Sequence, residues 1–72
     1  MTHKTVANKL KEIRGKKSLT QAELAEQVGV SRVSILSIEK GHFLPTIETA
    51  LRISSTLDIP VEEIFWLKEN YK

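Results

Sequence analysis

Gly29 and Gly41 each stand directly after a short run whose apolar residues recur at helical spacing, and each run is preceded by a hydroxyl residue, Thr20 or Ser31. Glycine takes left-handed backbone at little cost, so it ends helices. Serine and threonine accept the orphan amides at helix starts. Punctuation of this kind divides residues 20–41 into two short helices joined by a tight turn. Glu23, three residues after Thr20, completes capping-box spacing. Ala22, Leu24, Ala25 and Val28 give the first of these helices an apolar face, and Ile35 and Ile38 form the inward edge of the second. Ala25 is small enough to let the following helix approach closely.

The rest of the chain continues the helical pattern. Val6, Leu10 and Ile13 predict a first helix from about Thr5 to Lys17. Thr46 caps a fourth, whose buried stripe is Ile47, Ala50, Leu51, Ile53 and Leu57 and which ends near Asp58, before Pro60. A short fifth opens at Pro60 or Val61, with Ile64, Phe65 and Leu67 pointing inward. No long run alternates with period two, so the expected fold class is all-α, with five helices. A strand at either terminus, paired across subunits, is only weakly signalled. The expectation is one domain over residues 1–72, with its core at about 5–66 and a dimerisation segment at 59–72.

Composition narrows what can stabilise such a chain. It has 72 residues and no cysteine, which excludes a disulfide framework and a thiolate metal site. His3 and His42 are its only imidazoles and lie far apart in sequence. A domain this small buries only about 60% of the surface its unfolded chain exposes, so close helix packing or association is expected to stabilise it. The start carries no apolar run of a signal peptide, and no stretch approaches the ~18 apolar residues of a membrane span. The expectation is a cytoplasmic protein with no membrane partner.

The net charge of +2 is unevenly spread. Residues 1–17 set Lys4, Lys9, Lys11, Arg14, Lys16 and Lys17 against Glu12 alone, whereas residues 42–72 carry five acids against three bases. This polarity fits either a face built for an anionic partner or an ordinary solvated helix surface. The outer face of the third helix is more specific. Val33, Leu36, Ser37 and Lys40 recur at i, i+3, i+4 and i+7, with Arg32 at the amino end and no acid among them. Exposed aliphatics and small hydroxyls serve solubility poorly. They suit a DNA major groove, where arginine can pair with guanine and aliphatic groups pack on thymine methyls; the alternative is a packing surface for another subunit.

With these residues assembled, the chain resembles the Cro/CI-type (XRE) helix-turn-helix family of transcriptional regulators. The resemblance is carried by Leu10-Lys11-Glu12-Ile13-Arg14, Leu19 to Ala25, Gly29-Val30-Ser31-Arg32, Ile38-Glu39-Lys40-Gly41, Pro45-Thr46 and Glu62-Glu63-Ile64-Phe65. It implies a compact five-helix lambda-repressor-like domain that binds double-stranded DNA. Position by position, it implies base contacts from Ser31, Arg32, Val33, Leu36 and Ser37. It implies phosphate contacts from Thr20, Gln21, Ser34 and Lys40, with His42 a phosphate or surface residue, and an inner charge pair between Arg14 and Glu39. The chain departs from the family at Val33, where relatives often carry glutamine, and at Leu36, where a polar residue is common. Readout is therefore expected to lean on Arg32, methyl contacts and DNA shape.

Phe65, Trp66, Leu67 and Tyr71 form a dense apolar group near the carboxyl end and are the expected homodimer interface, unless Phe65 and Leu67 instead cap the monomer core. Two rival functions stand beside DNA binding. A protein-interaction module would use the same helices without the steep salt dependence of phosphate binding. An enzyme is not supported: the sequence offers no carboxylate pair at a cleft, no nucleophile with a histidine partner and no phosphate-cradling glycine loop, and so no catalytic, metal or cofactor site and no evident small-molecule substrate.

Overall fold

The computed structural model describes the backbone of residues 2–71 and the side chains of residues 5–69. In chain order the elements are β1 (Thr2–Asn8), α1 (Leu10–Lys16), α2 (Gln21–Val28), α3 (Arg32–Glu39), α4 (Ile47–Leu57), α5 (Val61–Ile64) and β2 (Phe65–Tyr71). Among the described residues there are five helices, but all-α describes the fold only approximately. The two ends of the chain pair as an antiparallel ribbon, from Thr2 opposite Tyr71 to Asn8 opposite Phe65.

This ribbon corrects the expected first helix, which begins at Leu10 rather than Thr5. Val6 lies opposite Leu67 in the sheet instead of one turn before Leu10. Asn8 marks the change of structure. Its Oδ1 accepts from the Leu10 amide at 3.0 Å, and its Nδ2 donates to the Ile38 carbonyl at 3.0 Å. One side chain thus starts α1 and fastens it to the end of α3. The Lys9 amide donates to the Ile64 carbonyl at 3.1 Å, closing the chain's beginning onto α5.

The other helix ends follow local chemistry. Thr20 and Glu23 form the reciprocal capping box, and the hydroxyls of Ser31 and Thr46 accept from the Ser34 and Thr49 amides. Gly29 (φ 88°) ends α2, with the Val30 amide donating back to the Ala25 carbonyl at 3.0 Å. Gly41 (φ 76°) ends α3, with the His42 amide donating to Ser37 and the Gly41 amide to Ile38, the paired bonds of a Schellman turn. Asp58 takes the same left-handed role after α4.

The core is Leu10 and Ile13 of α1, Leu24, Ala25 and Val28 of α2, Ile35 and Ile38 of α3, Ile53 and Leu57 of α4, and Ile64 of α5. Leu19, Val30, Ile59 and Phe65 pack on its rim. Three expectations about apolar faces need correction: Leu67, expected to point inward from the fifth helix, lies in β2 and is 64% exposed. Ala22 is exposed. On α4 only Ile53 and Leu57 are buried, Ala50 is half-buried, and Ile47 and Leu51 retain 78% and 54% exposure. The stripe is apolar, but only its carboxyl half meets the core.

Arg14 and Glu39 join α1 to α3 inside this frame. Arg14 Nε and Nη2 donate to the two Glu39 oxygens at 2.7 and 3.3 Å, and Nη1 donates to the Leu19 carbonyl at 2.8 Å. The Arg14 and Glu39 side chains keep only 13% and 3% exposure, so each depends on the other for the hydrogen bonds that water would supply.

Two stability measurements test this account. Gly29→Ala forces a Cβ into left-handed backbone and to 3.3 Å from an Arg52 guanidinium nitrogen; a loss of about 1–2 kcal/mol is expected, read as a lower melting temperature. Glu39→Ala strands the Arg14 guanidinium and is expected to cost about 3–5 kcal/mol in urea unfolding. An unchanged midpoint for Glu39→Ala would show that the pair does not hold α1 to α3.

Candidate nucleic-acid interface

The turn from Gly29 to Ser31 sets α3 across α2, and Ala25, 3% exposed, keeps the two helices close. With Ile35 and Ile38 turned into the core, the opposite side of α3 faces outward. Arg32 is exposed and Val33 is 63% exposed; Leu36 and Ser37 are half-buried along the same side. Lys40 and His42 are exposed just past the helix end.

Several of the polar residues expected at this surface carry structural bonds. The Ser31 hydroxyl accepts from the Ser34 amide at 3.1 Å and lies 3.0 Å from the Ser34 hydroxyl. The Thr20 hydroxyl accepts from the Glu23 amide at 3.0 Å. A hydroxyl used as an acceptor in this way can still donate to a phosphate oxygen, so capping and contact are compatible.

Gln21, expected as a phosphate contact, also bonds two neighbouring side chains. Its Nε2 donates to Glu39 Oε1 at 3.1 Å, and its Oε1 accepts from Arg32 Nη1 at 3.3 Å. Glu39 can only accept and Arg32 can only donate, so the amide is oriented by both neighbours. A continuous chain of bonds therefore runs from Arg14 through Glu39 and Gln21 to Arg32 on the outer surface. Its sequence signal is the placement of Gln21 and Arg32 as the first residues of α2 and α3.

The basic amino-terminal segment lies elsewhere. Lys9, Lys16 and Lys17 line an open cleft of about 320 Å³ with Ile13, Ile59 and Glu63, and none of the outer α3 residues belongs to it. Lys16 is also paired with Glu12 at 3.3 Å. Of the residues expected at a dimer interface, Phe65 is half-buried on the core rim, while Trp66 and Leu67 are 41% and 64% exposed. The side chain of Tyr71 lies outside the described residues. Among the described residues no group of three or more His, Asp or Glu side chains could hold a metal ion, and no helix is long and apolar enough to cross a membrane.

Comparison with known proteins agrees with this geometry. A helix-turn-helix family model matches residues 10–64. The chain is 40% identical over 62 residues to the uncharacterized HTH-type transcriptional regulator YgzD of Bacillus subtilis, covering 86% of this chain and 94% of YgzD. It is 35% identical over 60 residues to the immunity repressor protein of Bacillus phage phi105, covering 83% of this chain and 42% of that protein. Among solved structures, the restriction-modification controller protein C.AhdI from Aeromonas hydrophila superimposes with a TM-score of 0.72 at 31% identity, over 75% of this chain and 82% of C.AhdI. With capped helices, an αL glycine turn and an outward α3 face already in place, the matched span and these relatives place the chain in the Cro/CI-type helix-turn-helix family of DNA-binding transcriptional regulators.

Proposed function

We propose that the chain is a cytoplasmic repressor that binds, as a homodimer, a near-palindromic operator in double-stranded DNA through the outer face of α3. The observation that carries this reading is the exposed Arg32, held at the start of α3 by a bonded chain that reaches the buried Glu39. A guanidinium fixed in this way can present two donors to the O6 and N7 of guanine. Val33 and Leu36 offer methyl groups to thymine, and Ser31 and Ser37 offer hydroxyls to base edges.

Phosphates fix the register. The first-turn amides of α2 outside the capping box, those of Gln21 and Ala22, face a phosphate of a nearby strand together with the Thr20 and Gln21 side chains. The second Nε2 hydrogen of Gln21 is free of the bond to Glu39 and can reach a phosphate. Ser34, Lys40 and His42 hold the strands flanking α3. The mechanism requires no catalysis and no cofactor. A bound dimer occludes a promoter, in keeping with the repressor named among the relatives. Two copies of α3 then lie about 34 Å apart, one turn of duplex.

Selecting bound sequences from a random duplex pool tests this directly, and a two-fold symmetric consensus is expected. On that consensus, Arg32→Ala is expected to cost about 1–3 kcal/mol and to relax preference at one base pair per half-site. Lys40→Ala should weaken all sequences alike and make the log–log salt slope shallower by about one contact's worth, near 0.9. If Arg32→Ala and Ser37→Ala leave affinity for every duplex unchanged, α3 does not read DNA.

A further inference from the structure

The side chain of Asn8 joins the terminal ribbon to α3, the helix proposed to read DNA. Asn8 forms the last pair of the ribbon, opposite Phe65, and α1 begins at Leu10. Its Oδ1 accepts from the Leu10 amide and its Nδ2 donates to the Ile38 carbonyl, both at 3.0 Å and both partly buried. A backbone amide can only donate and a carbonyl can only accept, so one orientation of the carboxamide serves both partners. Replacements of similar shape keep only one bond. Aspartate accepts but cannot donate. Serine accepts from the nearby amide but is too short to reach α3 as well.

The second bond holds the exit from α3. Ile38 is buried, and its carbonyl also accepts from the Gly41 amide at 3.0 Å, within the turn that ends the helix. Gly41 from inside the turn and Asn8 from outside it share this one oxygen. Lys40 and His42 flank Gly41 and are exposed. The backbone that aims them is therefore fastened to the start of α1 and to the ribbon through a single side chain. Glu39, one residue before Lys40, is fastened to α1 separately by Arg14, and its bonds run on through Gln21 to Arg32. The two ties serve different parts of α3: Arg14 supports the amino end, and Asn8 supports the carboxyl end.

Resting on the phosphate contacts proposed above, we infer that Asn8 is a positioning residue for DNA binding: its bond to Ile38 sets the turn that presents Lys40 and His42 to the phosphate backbone. Lys40 and His42 make the contacts, and Asn8 acts through the turn. Without its bond the turn loosens, and the two side chains point in more directions. Binding must then order them first, at a cost in affinity that is the same for every sequence, because phosphates carry no sequence information. Asn8 is also the last pair of the ribbon, so pairing of the chain's two ends supports the same grip.

The test compares Asn8→Ser and Asn8→Asp with the wild type in the full chain. Both variants keep an acceptor for the Leu10 amide, aspartate about as well as asparagine, and both lose the donation to Ile38. Circular dichroism and a cooperative melt check that each chain is folded at the temperature of measurement. In the free protein, amide hydrogen exchange at Gly41 and His42 is expected to quicken about 5-fold in both variants, with the amides inside α2 unchanged. On the selected consensus duplex the dissociation constant is expected to rise about 3–10-fold, with base preference retained and the log–log salt slope shallower by up to about one contact's worth, near 0.9. Asn8→Ser combined with Lys40→Ala should cost less than the sum of the two, whereas Asn8→Ser and Arg32→Ala should add. A role confined to stability would instead quicken exchange throughout the chain and leave the salt slope as in the wild type.

Wild-type exchange and salt slope in Asn8→Asp would show that asparagine serves only to start α1, and would overturn the inference. Faster exchange at the turn with unchanged affinity and slope would overturn it too. Lys40→Ala separates its failure from that of the phosphate reading. If Lys40→Ala makes the slope shallower and Asn8→Ser does not, the phosphate contact stands and the positioning role falls. If Lys40→Ala leaves the slope unchanged, the phosphate contact falls and the positioning role falls with it.

Discussion

The Arg14–Glu39 pair is the constraint on which the arrangement of the outer surface depends. Both groups are largely removed from water, and neither could tolerate that position alone. Arginine is suited to the place because its planar fork reaches the two Glu39 oxygens and the Leu19 carbonyl at once; the single ammonium of lysine could not span them. The pair thereby connects α1, the loop before α2, and the end of α3. Glu39 Oε1 accepts from Gln21 as well, which brings the start of α2 into the same cluster. A paired buried charge contributes little net stability against an apolar substitute. Its effect here is positional: it fixes the rotation of α3 relative to α1 and α2, and therefore which residues of α3 face outward.

The sheet performs the complementary closure. β1 and β2 come from opposite ends of the chain, so the ribbon costs a long loop closure that its own short ladder cannot offset. Asn8 and Lys9 give the closure support by bonding to Ile38 and Ile64, in α3 and α5. The helical body and the ribbon are thus mutually dependent. One end of an apolar groove is built from both, since Val6 of β1 joins Val61 of α5 and Phe65 in lining it.

What was legible in the sequence divides by range. The caps at Thr20, Ser31 and Thr46 and the stops at Gly29 and Gly41 depend on bonds spanning a few residues, and all were readable. The ribbon was not, because Val6, Leu10 and Ile13 satisfy helical spacing as well as any helix would, and the partner of Val6 is Leu67, far along the chain. The available signals were Thr2, Thr5 and Val6, which are β-branched, and Asn8, a good cap immediately before Leu10. The stripe on α4 misled for a different reason. Periodicity reports that a face is apolar and is silent on what covers it, so Ile47 and Leu51 looked like core. The outward face of α3 was legible from spacing, and the Arg14–Glu39 pair from family resemblance. The link from Gln21 to Arg32 was not, because it joins the first turns of two helices whose relative placement only the fold decides.

That link bears on how a ridge with two aliphatic residues, Val33 and Leu36, along it could discriminate sequence. Val33 and Leu36 can neither donate nor accept, so in the proposed complex they select by methyl contact and by excluding water from bases that do not fit. Such contacts discriminate weakly, because one methyl group displaced against another changes little buried area. Most of the directional information then falls on Arg32. A long side chain free to rotate would lose about 0.5–1.5 kcal/mol of entropy on docking. Holding its guanidinium against Gln21 Oε1 before DNA arrives removes part of that loss and restricts the direction of its donors. The Arg32–Gln21 bond is exposed and water can replace it, so what it supplies is orientation, tied through Gln21 to Glu39 and Arg14. In the proposed complex, specificity would come from rigidity behind one reader rather than from a dense array of readers on the surface.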